Sequence, residues 1–125
     1  MFVITKNRAF YMSNFCFRYV PVQIPRASFN NLSVRAISAG GLHSGAITSD
    51  GRVFTWGSGK DGRLGHEEMQ NMPAKASLSY RCTVPTEVKI ITEKIKSSEI
   101  KEATKISCSH YHTVVLIDYP PEEEE

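Results

Sequence analysis

The amino-acid sequence predicts an all-β fold built from a repeated antiparallel unit. Short strand-like runs alternate with glycine turns through the middle of the chain. One of those turns is Asp50-Gly51, among the strongest hairpin signals a sequence can hold. The chain also resembles itself. Val20-Pro21-Val22-Gln23-Ile24 lines up with Val84-Pro85-Thr86-Glu87-Val88, and Ile37-Ser38-Ala39-Gly40-Gly41-Leu42-His43-Ser44 with Ile106-Ser107-Cys108-Ser109-His110-Tyr111-His112-Thr113. The two matches differ in spacing, so the second copy carries an insertion around residues 89–103. Recurrence of one supersecondary unit marks a propeller or a solenoid.

Ser33 to Ala39 is the first strand of the central block, alternating loosely with Ile37 and Ala39 on one face. Gly40-Gly41 then supplies a turn that residues bearing a Cβ resist. His43 to Thr48 is the second strand. Asp50-Gly51 turns the chain into a third, Arg52 to Trp56, with Val53 and Thr55 on one face and Phe54 and Trp56 on the other. A glycine-rich stretch, Gly57 to Gly65, and a polar loop up to Arg81 lead to a fourth strand, Cys82 to Ile90. Pro85 places that strand on a sheet edge, since proline donates nothing to a ladder. Ile91 to Lys105 is charged and carries Ile91, Ile95 and Ile100; it fits a short amphipathic helix or a solvated loop, and the pattern does not decide. Ile106 to Cys108 and His112 to Ile117 are two further strands. Residues 118–125, with Pro120-Pro121 and four glutamates, predict an acidic disordered tail, and residues 1–19 stay unassigned.

Size and composition bound the function. A chain of 125 residues holds one small domain, and 41 % hydrophobic with 22 % charged residues is ordinary for a soluble globular protein. The net charge of +2 is too weak to argue for a nucleic-acid surface, so chromatin binding draws no support from charge. Cys16, Cys82 and Cys108 cannot all pair and match no zinc ribbon, which predicts a reducing, intracellular setting, nuclear or cytoplasmic. No apolar run is long enough to span a membrane. The first twenty residues are basic, aromatic and free of acid, which leaves a mitochondrial presequence as the lesser alternative to the ragged end of a larger repeat protein.

Three strings in order carry a family resemblance. They are Ile37-Ser38-Ala39-Gly40-Gly41-Leu42-His43-Ser44, Asp50-Gly51-Arg52-Val53-Phe54-Thr55-Trp56-Gly57, and Gly62-Arg63-Leu64-Gly65-His66. Together they resemble one repeat of the regulator of chromosome condensation family. The second copy keeps Ile106-Ser107-Cys108 and His112-Thr113-Val114-Val115-Leu116, has Ser109 where a glycine is usual, and stops before the hairpin and tryptophan-glycine strand. The resemblance covers residues 20–117 and implies a partial β-propeller of four-stranded antiparallel blades, open and incomplete. The complete blade runs from Val34 to Ile90, preceded by an outer strand near Val20–Ile24 and followed by an inner strand pair. Phe54 and Trp56 supply apolar bulk between blades, and Gly40, Gly41, His43, Asp50, Gly51, Trp56, Gly57, Gly62, Leu64, Gly65, Cys108 and His112 form the structural repeat motif. One blade cannot cover both faces of its own sheet, so an isolated fragment of this kind is expected to be unstable or self-associating.

No hydrolytic or redox centre is predicted, and no cofactor or metal. Gly57-Ser58-Gly59-Lys60-Asp61-Gly62 fits a dinucleotide fingerprint, but the preceding strand is tied into an antiparallel hairpin where the fingerprint needs a parallel βαβ unit. Cys108, His110 and His112 resemble zinc ligands, yet a turn separates them and the repeat pattern already accounts for Cys108 and His112; His43 and His112 are expected to hydrogen-bond backbone near the inner turns. The resemblance implies a non-catalytic platform whose loops bind a protein partner. The alternative it implies is guanine-nucleotide exchange on a Ran-type small GTPase, with chromatin association. Exposed blade faces add self-association.

Overall fold

The computed structural model of the chain describes residues 2–5, 8–11, 22–67 and 80–121. Within them the strands form three antiparallel sheets. The first holds β1 (Phe2–Thr5), β2 (Arg8–Tyr11) and β3 (Val22–Gln23) in that order. The second is a four-stranded blade of β4 (Val34–Ala39), β5 (His43–Thr48), β6 (Val53–Ser58) and β7 (Arg81–Glu87), each strand beside its sequence neighbour. The third pairs β8 (Glu102–Cys108) with β9 (Thr113–Asp118). A helix α1 (Lys89–Lys96) joins β7 to β8. The expected all-β, open propeller piece is thus what the chain forms.

The Asp50-Gly51 hairpin joins β5 to β6 as expected. Gly51 has φ +86°, a conformation costly for any residue with a Cβ, and its N–H donates to Thr48 O at 3.0 Å. Asp50 Oδ1 accepts from the Thr48 hydroxyl at 2.6 Å, so the turn is held by side chain as well as backbone. Pro85 lies in β7, the edge strand of the blade, as its missing N–H requires.

Boundaries differ in instructive ways. The fourth strand ends at Glu87 rather than Ile90, because Lys89 already opens α1. The undecided charged segment is therefore helical in its first half. Its buried residue is Thr92, whose hydroxyl donates to Glu87 Oε1 at 2.5 Å. β8 begins at Glu102, earlier than Ile106, since its ladder with β9 runs back to the pair Glu102–Asp118. Asp118 is accordingly a strand residue, and the glutamates expected to form the tail lie outside the described residues. So do the polar loop over residues 68–79 and Val20-Pro21 of the expected outer strand.

Residues 1–19 carry β1 and β2, which the sequence left unassigned. Their register shows what they are. Val3 faces Phe10 and Ile4 faces Ala9, just as Ala46 faces Phe54 and Ile47 faces Val53. Phe10 then faces Gln23 as Phe54 faces Glu87, and Gln23 and Glu87 are the residues that the self-alignment had already matched. β1, β2 and β3 therefore stand as the second, third and fourth strands of a preceding blade. β8 and β9 stand as the first and second strands of a following one. Even the irregularity repeats: the ladder slips between Val34 and Ala36, and again between their counterparts Ala103 and Lys105.

Two apolar cores separate these units. At the first junction Phe29, Val34, Ala46, Phe54 and Trp56 are buried, with Ile24, Ile37 and Cys82 packed around them. Phe29, from a 3-10 turn at Arg26–Phe29, meets Phe54 and Trp56 edge-on with ring centres 5.5 and 6.0 Å apart. The second junction buries Ile47, Val53, Val88 and Ala103, with Ala36, Ile91, Ile106, Val115 and Ile117 around them. The expectation that Phe54 and Trp56 fill space between units holds at the first junction.

Candidate interaction surface

The inner turns of successive units touch. Gly40 N–H donates to His43 O at 2.8 Å inside the β4–β5 turn, and Ser109 N–H donates to His112 O at 2.9 Å inside the β8–β9 turn. A Cβ on Gly40 would collide with Ser109 O, so only glycine permits this approach. Gly41 N–H reaches Ser109 O at 3.4 Å, and the His110 ring lies over Gly41.

His43 sits under these turns, 2 % exposed. Thr113 gives its hydroxyl proton to Arg63 O at 2.6 Å, so its contact with His43 Nε2 at 2.8 Å is one it accepts. Nε2 therefore carries the imidazole proton, and Nδ1 is a buried acceptor without a hydrogen-bond partner. Burial, with the Arg63 charge nearby, holds the His43 pKa below its ordinary value. Nε2 bonds the Thr113 side chain, and a backbone hydrogen bond with His112 also acts on the ring, favouring its charged form.

The loop after β6 repeats the device. Thr55 donates to Leu64 O at 2.7 Å and accepts from His66 Nε2 at 2.8 Å. His66 Nδ1 then faces Tyr80 Oη at 3.1 Å and Cys82 Sγ at 3.5 Å. Two His–Thr–carbonyl chains thus end on the adjacent carbonyls of Arg63 and Leu64. They pin the Gly62–His66 loop to its own blade and to the next sheet. Gly57, Gly62 and Gly65 take positive φ to shape it, and Leu64 is buried beneath it.

Arg63 is the side chain that locks the second junction. Its Nε donates to Lys60 O at 2.7 Å, its Nη1 donates to His110 O at 2.8 Å, and its guanidinium lies 5.5 Å from the centre of the Tyr111 ring. In the sequence Arg63, Thr55 and Thr113 stand inside the repeat strings and Tyr80 outside them, and residue identity alone gives none of the four its hydrogen-bonding role.

The remaining motif residues fall into place around this surface. Asp50 and Gly51 abut the start of β8, where Ala103 N–H donates to Gly51 O at 3.0 Å. Cys108 is buried; its N–H donates to Ser38 Oγ at 2.9 Å, and burial pushes its thiol pKa up. His112 is exposed and engages Ser109 through its backbone. Among the described residues no three His, Cys, Asp or Glu side chains converge as a metal site. Gly57–Gly62 leads from an antiparallel strand into a 3-10 turn at Lys60–Gly62, not into the α-helix that a dinucleotide site needs.

Beside Arg63 the second junction opens into a cavity of about 350 Å³, walled by Val53, Thr55, Leu64, Val88, Ile91, Tyr111 and Val115. Past it, Val114, Leu116 and Tyr119 of the last sheet and its tail are exposed. This apolar end, framed by rigid loops, is the surface the fold offers.

Comparison with known proteins agrees with the architecture. Residues 50–116 match the family model for the regulator of chromosome condensation (RCC1) repeat, and residues 34–63 match a second model of the same repeat. The human E3 ubiquitin-protein ligase HERC2 is 33 % identical over 97 residues, covering 78 % of this chain and 2 % of that protein. Human WBSCR16 superposes with a TM-score of 0.64 at 20 % identity, over 90 % of this chain and 27 % of that one. Yeast RCC1 (Prp20), in its complex with Kap60, gives 0.56 at 17 % identity over 78 % of this chain and 20 % of that one. The chain thus spans a small part of each relative. Repeat register, hairpin and loop chemistry, and the family models converge: this chain belongs to the regulator of chromosome condensation (RCC1) repeat family.

Proposed function

We propose that the chain is a non-catalytic protein-interaction module of this repeat family. One observation carries the reading. The last sheet presents apolar side chains outward, with Leu116 55 % exposed at the position where Ile47 is wholly buried in the complete blade. Apolar surface arranged like this on a rigid frame is how interfaces are built. Arg63 and the two His–Thr chains supply the rigidity. A relative in complex with another protein, Prp20 with Kap60, is consistent with it. The unpaired Cys82 and Cys108 suit a reducing, intracellular setting.

The competing reading is exchange activity on a Ran-type small GTPase. Release of a fluorescent guanine nucleotide from such a GTPase, followed with and without the chain in excess, separates the two. The module reading expects an unchanged release rate. A saturable acceleration would make the chain an exchange factor.

A further inference from the structure

The two histidine–threonine chains end differently. In the inner one, His43 Nε2 donates to Thr113, and the neighbouring thiol, Cys108 Sγ, lies 4.0 Å from the Thr113 hydroxyl. In the outer one a thiol meets the imidazole itself. Thr55 gives its proton to Leu64 O, so His66 Nε2 donates to Thr55 and Nδ1 is the acceptor of the ring. Cys82 Sγ lies 3.5 Å from that Nδ1. Tyr80 Oη lies 3.1 Å from Nδ1 and 3.4 Å from Sγ, closing a triangle of sulfur, nitrogen and oxygen.

The cluster is held from several sides. His66 is 4 % exposed, and its ring meets Tyr80 edge-on with centres 6.1 Å apart. Tyr80 is seated over Gly59, where a Cβ would collide with its ring, and Gly59 N–H donates to Tyr80 O at 2.8 Å. Cys82 stands on β7, the outer strand of the complete blade, and is only partly buried, whereas Cys108 is buried. An imidazole fixed in one tautomer, with its acceptor nitrogen on an accessible thiol, is the arrangement that activates a sulfur nucleophile.

We propose that Cys82 is a nucleophilic thiol with His66 as its general base, a site of covalent modification by α,β-unsaturated carbonyl compounds. The S–H proton passes to His66 Nδ1, and the sulfur electron pair forms a bond to the β-carbon. The π pair of the carbon–carbon double bond moves toward the carbonyl as an enolate, and the proton on Nδ1 returns to the α-carbon. One S–C bond forms and nothing leaves. Thr55 is a positioning residue, holding Nε2–H so that Nδ1 faces the sulfur. The whole cluster belongs to the complete blade and stands or falls apart from the interaction-module reading.

Timed labelling of the full chain with N-ethylmaleimide, read by mass spectrometry of its peptides, tests it. Folded Cys82 should react about tenfold or more faster than the same residue in the urea-unfolded chain at equal pH, although folding partly buries it. His66→Gln keeps a donor for Thr55 and removes the base, and should slow Cys82 by about tenfold or more while Cys108 stays slow. Thr55→Val should slow Cys82 as well, and Thr55→Ser, which keeps the hydroxyl, should restore it. A folded Cys82 no faster than the unfolded one would overturn the proposal, and so would parent-like labelling in His66→Gln. Thr55→Ser as slow as Thr55→Val would overturn the role given to Thr55. If His66→Gln loosens the fold, Cys108 labels too, and the comparison of folded with unfolded parent chain decides alone.

Discussion

The two junctions of the molecule are built from matched positions and finished differently. At the first, Phe29 meets Phe54 and Trp56, and the space between sheets is filled with rings. At the second, the same register ends in a cavity of about 350 Å³. Ile47 and Leu116 hold equivalent places on β5 and β9, yet one is wholly buried and the other more than half exposed. The difference teaches that a strand in this architecture has no burial of its own. Its outward face becomes core only when a neighbouring unit covers it, which makes stability a sum over junctions.

Substitutions sharpen the contrast. Phe54→Ala empties the filled junction and should cost about 3–5 kcal/mol in chemical denaturation, the largest effect expected. The matched pair comes next. Ile47→Ala should cost about 2–5 kcal/mol, while Leu116→Ala should stay within about 0.5 kcal/mol of the parent chain. Equal losses at the two sites would erase the distinction between them.

Gly51→Ala probes the Asp-Gly turn between the second and third strands of the complete blade. Positive φ and a collision with Glu102 together predict a loss of about 1–3 kcal/mol, read as a lower thermal midpoint. The smallest effect is pH-dependent. The folded-state pKa of His43 lies below its ordinary value near 6.5, so the unfolded chain binds the proton more readily. Stability should therefore be fully present above that ordinary value and fall as pH drops through it toward the folded-state pKa. His43→Gln, which keeps a donor for Thr113, should flatten that slope. A slope unchanged in the variant would place its origin elsewhere.

Much of the fold was legible because turn chemistry is local. Asp50-Gly51 announced its hairpin, Pro85 its edge strand, and the repeated strings fixed which strands are equivalent. The β1–β2 hairpin was hidden because its connection lacks the Asp-Gly pair and its second strand ends without a Trp-Gly. The helix was ambiguous because its apolar face is short, Ile91 and Ile95 one turn apart, and its buried residue is the polar Thr92, which bonds Glu87. The interaction surface was least visible. Arg63 bonds backbone carbonyls, one of them 47 residues away, and a carbonyl leaves no trace in residue identity. Thr113 and Thr55 matter for the direction of one proton each, which only the assembled geometry reveals.

Native-state amide exchange on the unliganded full chain tests the central claim most directly, because it reads β5 and β9 in one experiment. Among the described residues β5 is bonded on both edges and buried, whereas β9 is bonded on one. The account predicts that the edge amides of β9 exchange on the order of a hundredfold faster than those of β5, through local opening that leaves the first junction intact. Equal protection of the two strands would contradict it, since the second junction would then be as complete as the first.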